Sequence, residues 1–157
     1  WDVAGYAGCY GELRGGAPPL LIGDMYVSVF HSLFHVRRIR KLLYRILRKP
    51  SRKTLRYVAG AYAFAAAPPF EPIWLHPVPV LTPPPLPRRP GPQLDTRIER
   101  SAYPCGSIFK GEEWIVSFGS QEEYCCLATL DGNILAGGMA SGAYGAGRGN
   151  GANSWLC

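Results

Sequence analysis

The sequence lacks the short motifs that mark the common nucleotide, zinc and hydrolase sites. It has no GxGxxG or P-loop pattern, no CxxC pair and no GxSxG elbow. The segment HSLFH from His31 to His35 has no glutamate at its second position, and it continues a strand pattern that would separate the two rings. We therefore expect no metal and no cofactor. No apolar run reaches the roughly 18 residues that a membrane-spanning helix needs.

The cysteine spacing lacks the pattern of a zinc site or of a disulfide framework. The five cysteines are odd in number and two of them are adjacent, which argues against a zinc cluster or a set of paired disulfides. We predict reduced, mostly buried thiols. No signal peptide is recognisable. The chain begins with Trp1, so we expect its natural start to be missing, and the cytoplasm is slightly favoured.

Acidic residues are absent from 36–56, which hold ten of the seventeen lysines and arginines. Apolar residues recur there at helical spacing, which predicts an inserted basic amphipathic helix ended by Pro50. Such a helix could pack on the sheet, lie on an anionic membrane or contact a partner protein. Nucleic acid is disfavoured because no aromatic platform interleaves with the charges.

Elsewhere, short apolar runs alternate with turn residues, which predicts an all-β chain. The predicted strands include two hairpins, one turning at Gly23-Asp24 and one across Gly119–Glu123. The runs are Leu20–Ile22, Met25–Phe30, Tyr57–Phe64, Glu113–Phe118 and Tyr124–Leu130.

Two segments depart from this pattern. Residues 76–92 contain eight prolines and predict an extended, polyproline-like linker loop. Within it, 84–89 has the PxxPxR arrangement of a ligand for an SH3-type domain. Residues 136–157 are rich in glycine and alanine and predict a flexible tail after a domain spanning 1–135.

Four stretches, taken in order, resemble one family of proteins. They are LRGGAPPLLIGDMYVSVFHS (13–32), YVAGAYAFAAAPPFEPIWLHPVPVL (57–81), YPCGSIFKGEEWIVSFG (103–119) and CCLATLDGNIL (125–135). Together they are similar to the β-mannoside phosphorylases and β-1,2-mannosidases, a glycoside hydrolase family of five-bladed β-propellers. The resemblance implies antiparallel propeller blades, about two of them in this chain. It also implies a carbohydrate substrate with a mannoside-like glycosidic bond, cleaved by inorganic phosphate as co-substrate or by water.

The resemblance further implies a site where substrate or phosphate binds. Arg14 would offer a planar donor fork, and His31 matches the family's histidine beside the phosphate. Glu122 corresponds to an acid that binds sugar hydroxyls, and Tyr103 and Cys105 fall in a turn beside it. The site residues so implied are Arg14, Gly15, Gly16, His31, Tyr103 and Glu122.

The chain also departs from the family. Ser32 follows the histidine where the family has glycine, and the acid is Glu122 where the family has aspartate. Nothing matches the family's proton-donating aspartate, so we expect this chain to be an inactive fragment of the enzyme. One alternative stays open, a non-catalytic interaction or sugar-binding module. It would use 36–56 for a membrane or protein partner and 84–89 for an SH3-type domain.

Overall fold

The computed structural model describes residues 10–36, 54–82, 98–121, 123–133 and 154–156. Within these ranges the secondary-structure elements are ten β-strands, and all neighbouring strands except one pair run antiparallel. The predicted all-β antiparallel class is therefore confirmed. No helix in this part of the chain is long and apolar enough to cross a bilayer.

The first sheet has six strands built around a long central hairpin. Its order is β1-β3-β4-β5, with β2 also paired to β3 and β6 running parallel to β4. Because β1 pairs with one half of β3 and β2 with the other half, β1 and β2 act as a single strand broken at 17–19. The strands are β1 (Glu12–Gly16), β2 (Leu20–Ile22), β3 (Met25–Val36), β4 (Thr54–Ala65), β5 (Pro72–Leu75) and β6 (Ile98–Arg100).

The second sheet is a four-stranded antiparallel meander of order β10-β9-β8-β7. Its strands are β7 (Tyr103–Lys110), β8 (Glu113–Ser120), β9 (Tyr124–Asp131) and β10 (Ser154–Leu156). The last of these differs from the expectation of a flexible tail over 136–157, since Ser154–Leu156 pair in register with Leu127–Thr129. An apolar Trp-Leu pair after the glycine-rich stretch gives that segment strand-forming side chains.

The main core joins side chains of both sheets. The small side chains of Ala59, Ala61 and Ala63 on β4 belong to the same buried cluster as Trp114 and Phe118 on β8. On β8 every second residue is buried, as a strand with one face on the core requires. Because the β4 alanines fill little volume, the cluster has room for the large rings. Truncation of Trp114, which is fully buried, would cost about 3–5 kcal/mol.

A smaller core lies on the other face of the first sheet, around Tyr10 and Phe30, whose ring centroids are 5.1 Å apart. Gly60 makes this contact possible, since a Cβ there would lie 2.6 Å from Phe30 Cε1 and 2.7 Å from Tyr10 Cε1. The Tyr10 hydroxyl lies 2.8 Å from the carbonyl oxygen of His76 and 2.7 Å from that of Val78, to which it donates. It thereby fixes the start of the proline-rich segment.

The described part of that proline-rich segment packs against β4. Val80 and Leu81 are buried. The Ala59 N–H donates to the Leu81 carbonyl oxygen, and the Ala59 carbonyl oxygen accepts from the N–H groups of Val80 and Leu81. Residues 76–82 are thus bound to the sheet, which differs from a free linker loop. The remainder of 76–92, including the PxxPxR pattern at 84–89, lies outside the described residues.

The boundaries of the predicted basic insert need correction. Val36 and Thr54 are paired at the ends of β3 and β4, and Leu55 and Arg56 continue β4. The strand that starts at Met25 therefore continues through Val36, the first residue assigned to the helix. Residues 37–53 lie outside the described residues, so the amphipathic helix stays a prediction.

The prediction of reduced, mostly buried thiols is only half right for each of the three described cysteines. Cys126 is buried and disulfide-bonded. Cys105 and Cys125 are free thiols, as predicted, but both are exposed. Cys125 alternates outward on β9 while Cys126 points to the core, so the adjacent pair in the sequence lies on opposite faces of one strand.

Candidate functional site

The first part of the candidate site is a cross-strand pair on the first sheet. Arg14 on β1 lies directly opposite His31 on β3. The Arg14 Nη2 donates to Glu12 Oε2 at 2.9 Å, because residues two apart on a strand point to the same face. His31 has a backbone hydrogen bond with Gly15. Arginine, glutamate and histidine are thus linked along one strip of the sheet.

The two glycines after Arg14 have different surroundings. The pairing of β1 with β3 shifts between Arg14 and Gly16, as at a β-bulge. A Cβ on Gly16 would overlap the carbonyl oxygen of Val29 and lie 2.8 Å from the Cα of Phe30. A Cβ on Gly15 would meet nothing within 4 Å. The absence of a side chain at Gly16 therefore lets β1 lie close to β3, whereas Gly15 faces open space beside His31.

Two tyrosines complete the site. The ring of Tyr103, the first residue of β7, lies 5.3 Å from the ring of His31 and 4.8 Å from that of Tyr57 on β4. His31 and Tyr57 are 6.0 Å apart, measured between ring centroids. We call Glu12, Arg14, His31, Tyr57 and Tyr103 the seam cluster, because Tyr103 comes from the second sheet and the others from the first.

The side chains of the seam cluster carry a net charge close to zero. Burial lowers the pKa of His31, and the Arg14 charge lowers it further, while the backbone hydrogen bond with Gly15 opposes both. His31 is therefore uncharged at pH 7. The hydrogen bond and charge of Glu12 raise the pKa of Arg14 above its usual value. The ion pair is open to solvent, with side-chain exposures of 42% for Arg14 and 64% for Glu12.

The loop that carries Glu122 is fixed near the seam cluster. The backbone N–H of Gln121 donates to the Oγ of Ser101 at 2.6 Å, just before Tyr103. Gly119 pairs with Tyr103 in the adjoining strands, so the β8–β9 turn lies at the Tyr103 end of β7. Glu122 itself is outside the described residues, and its predicted role stays a prediction.

The structure thus places together four of the predicted residues, namely Arg14, Gly15, His31 and Tyr103. Gly16 shapes the backbone next to them. The placement of Tyr103 and Cys105 in a turn is wrong, since both belong to β7. A bulge between Pro104 and Gly106 lets this edge strand include a proline, which hid the strand in the sequence.

Sequence reasoning missed two residues of the site. Tyr57 starts the predicted run Tyr57–Phe64, but nothing marked its ring as part of a site. Glu12 is the second missed residue. Glu12 and Arg14 are two residues apart, so their side chains share one face if the segment is a strand. That segment is not among the strands that the sequence predicts.

The chain was compared with known protein families, curated proteins and solved structures. No family model, no curated protein and no solved structure matches this chain. The seam cluster must therefore be interpreted from its own chemistry. It offers aromatic rings, a guanidinium fork, a carboxylate and a neutral imidazole at one partly exposed place, a set of groups that suits a polar, uncharged organic ligand with apolar C–H faces.

Proposed function

We propose that the chain is part of a carbohydrate-active β-propeller and binds a mannoside-like sugar at the seam cluster. The complete protein would cleave the glycosidic bond with phosphate or water, and this chain alone would not. The observation that carries the proposal is the convergence of Arg14, His31, Tyr57 and Tyr103 from two sheets, with rings 4.8–6.0 Å apart.

The strand connections support the propeller. The second sheet is a four-stranded meander, and the first has a four-position meander if β1 and β2 count as one strand. Four-stranded antiparallel sheets packed face to face are the repeating unit of propellers. A strand from the second sheet, β7, approaches β1, β2, β3 and β4 of the first. We interpret the two sheets as adjacent blades, with further blades completing the ring.

The chemistry of the cluster supports a sugar ligand. A pyranose has C–H faces that pack on aromatic rings and hydroxyls that need directional partners. Partly exposed Tyr103 supplies a ring and a hydroxyl, and buried Tyr57 packs against it. Arg14 supplies donors in a fixed fork. Glu12 supplies acceptors beside it. Neutral His31 has a ring nitrogen for a hydrogen bond without adding charge.

The same cluster argues against catalysis by this chain alone. Inverting cleavage needs a carboxylic acid that protonates the leaving oxygen across the bond from the attacking group. Glu12 is the one carboxylate at the seam cluster within the described residues, and Arg14 donates to it. The Arg14 guanidinium thereby occupies one oxygen of this carboxylate, in competition with a leaving oxygen of the substrate.

Isothermal titration of the 157-residue chain with β-1,4-mannobiose tests the binding proposal. We expect measurable binding that Tyr103→Ala weakens at least about fivefold, because it removes the ring shared by His31 and Tyr57. Tyr26→Ala is the matched control, since Tyr26 contacts Phe64 instead, at a ring distance of 5.4 Å. Equal losses in both variants, or no binding to the wild-type chain, would refute the proposal.

A cleavage assay tests the catalytic part separately. We expect no release of mannose or mannose 1-phosphate from mannobiose, with or without inorganic phosphate. Turnover by the purified chain that His31→Ala abolishes would show that the chain holds a complete active site, contrary to the proposal.

A further inference from the structure

The seam cluster contains an ion pair whose charge balance bears on which ligand it accepts. Arg14 is the positively charged side chain of the cluster, and Glu12 lies 2.9 Å from it. Burial and the Arg14 charge keep His31 neutral. Arg56 directly precedes Tyr57 in the sequence, so its side chain points to the opposite face of β4. The Arg14 charge is therefore balanced by that of Glu12.

An anion and a sugar respond differently to this arrangement. A phosphate ion must displace Glu12 from the Arg14 guanidinium or accept repulsion from its carboxylate. A neutral sugar needs neither, because its hydroxyls can donate to the Glu12 carboxylate and accept from Arg14 while the pair stays intact. Glu12 in an exposed ion pair competes only modestly with phosphate for Arg14. The competition is nevertheless direct, because the guanidinium is the group that an anion would bind.

We propose that Glu12 makes the seam cluster selective for an uncharged saccharide over free phosphate, by neutralising Arg14 at the place where an anion would bind. The inference rests on the proposed function and deepens it, because it names the ligand that Arg14 holds. Phosphate, where the complete protein uses it, would then bind elsewhere. Glu12 acts here as a specificity-determining residue.

The test measures binding of β-1,4-mannobiose and of inorganic phosphate, at constant ionic strength, to the wild-type chain and its variants. We expect the wild-type chain to bind mannobiose more tightly than phosphate, and its weak phosphate affinity is the reference for the variants. Glu12→Gln keeps the size of the side chain and removes its charge. It should raise phosphate affinity by about two- to fivefold or more, and mannobiose affinity should change less.

Two further variants show that charge is responsible. Glu12→Asp keeps the charge and should bind phosphate as weakly as the wild-type chain does. Glu113→Gln removes an exposed carboxylate at the far end of β8, paired with Lys110, and should change neither ligand. At 64% exposure Glu12 makes little contribution to packing, so these variants should fold normally.

The outcomes separate this inference from the proposed function. Phosphate that binds the wild-type chain as tightly as the Glu12→Gln variant would overturn the selectivity and leave sugar binding standing. Mannobiose binding without any gain of phosphate affinity in Glu12→Gln would also overturn it. If neither ligand binds any variant, the seam cluster is not a ligand site, and the proposed function fails together with the inference.

Discussion

Replacing Gly16 with alanine would place a methyl group against the backbone of the neighbouring strand. The new Cβ would overlap the Val29 carbonyl oxygen and lie 2.8 Å from Phe30 Cα and 2.9 Å from the carbonyl carbon of Val29. These atoms belong to β3, which is paired on both sides and cannot move away as the end of a flexible side chain can. The hydrogen bond from Ala17 N–H to the same oxygen, at 2.9 Å, would be strained as well.

The cost follows from these two effects. Overpacking in an ordered core costs about 1–3 kcal/mol, and backbone overlap is at the upper end of that range. A weakened internal hydrogen bond adds about 1 kcal/mol. We expect Gly16→Ala to lose about 3–4 kcal/mol, which for a chain of this length lowers the Tm by about 6–16 °C.

Gly15→Ala is the matched control one residue away. A Cβ there meets nothing within 4 Å, and a strand glycine replaced by alanine in a compatible conformation gains about 0.4–1 kcal/mol. Thermal and urea unfolding followed by circular dichroism would measure both variants. If Gly16→Ala unfolds at the wild-type temperature, or if the two variants are equally destabilised, the described approach of β1 to β3 is wrong.

Three further predictions concern the core, the histidines and the turn. Gly60→Ala should lose about 1–3 kcal/mol of unfolding free energy in chemical denaturation, because its Cβ meets the rings of Phe30 and Tyr10. Gly119→Ala is the control and should be near neutral, since its Cβ makes only an ordinary 3.9 Å contact. A larger loss in Gly119→Ala than in Gly60→Ala would contradict the smaller core. Burial lowers the pKa of His31 and of His76 below the usual 6.5, so the unfolded chain binds more protons below that pH. Unfolding free energy should therefore fall as the pH drops below 6.5, less steeply in His31→Gln, and an unchanged slope in that variant would refute the assignment. Ser101→Ala removes the acceptor of the Gln121 N–H and should cost about 1–2 kcal/mol in thermal unfolding, and a neutral result would show that the turn is not fixed there.

The sequence predicted strands well where one physical signal dominated. The hairpin at Gly23-Asp24 is present, with Ile22 opposite Met25 and Gly23 at a φ of 62° that glycine adopts freely. The hairpin of β8 and β9 is present as well, because alternate burial along Glu113–Ser120 appears directly in the order of apolar residues.

Other strands were missed because turn residues lie inside them. β1 ends in two glycines, and β7 contains Pro104 at a bulge, and both residue types are uncommon inside strands. Their strand conformation depends on pairing with β3 and β8, which is tertiary information. The same reason explains why Glu12 and Tyr57 were missed, since both reach the site only through cross-strand register.

The most direct test of the account is an NMR titration of the labelled 157-residue chain with β-1,4-mannobiose. We predict that the ring resonances of His31, Tyr57 and Tyr103 and the guanidinium signal of Arg14 shift together with one dissociation constant, while Tyr26 and Trp114 are unaffected. Shifts confined to other surfaces, or no shifts in the seam cluster at saturating sugar, would contradict the claim that this junction of two sheets binds a saccharide.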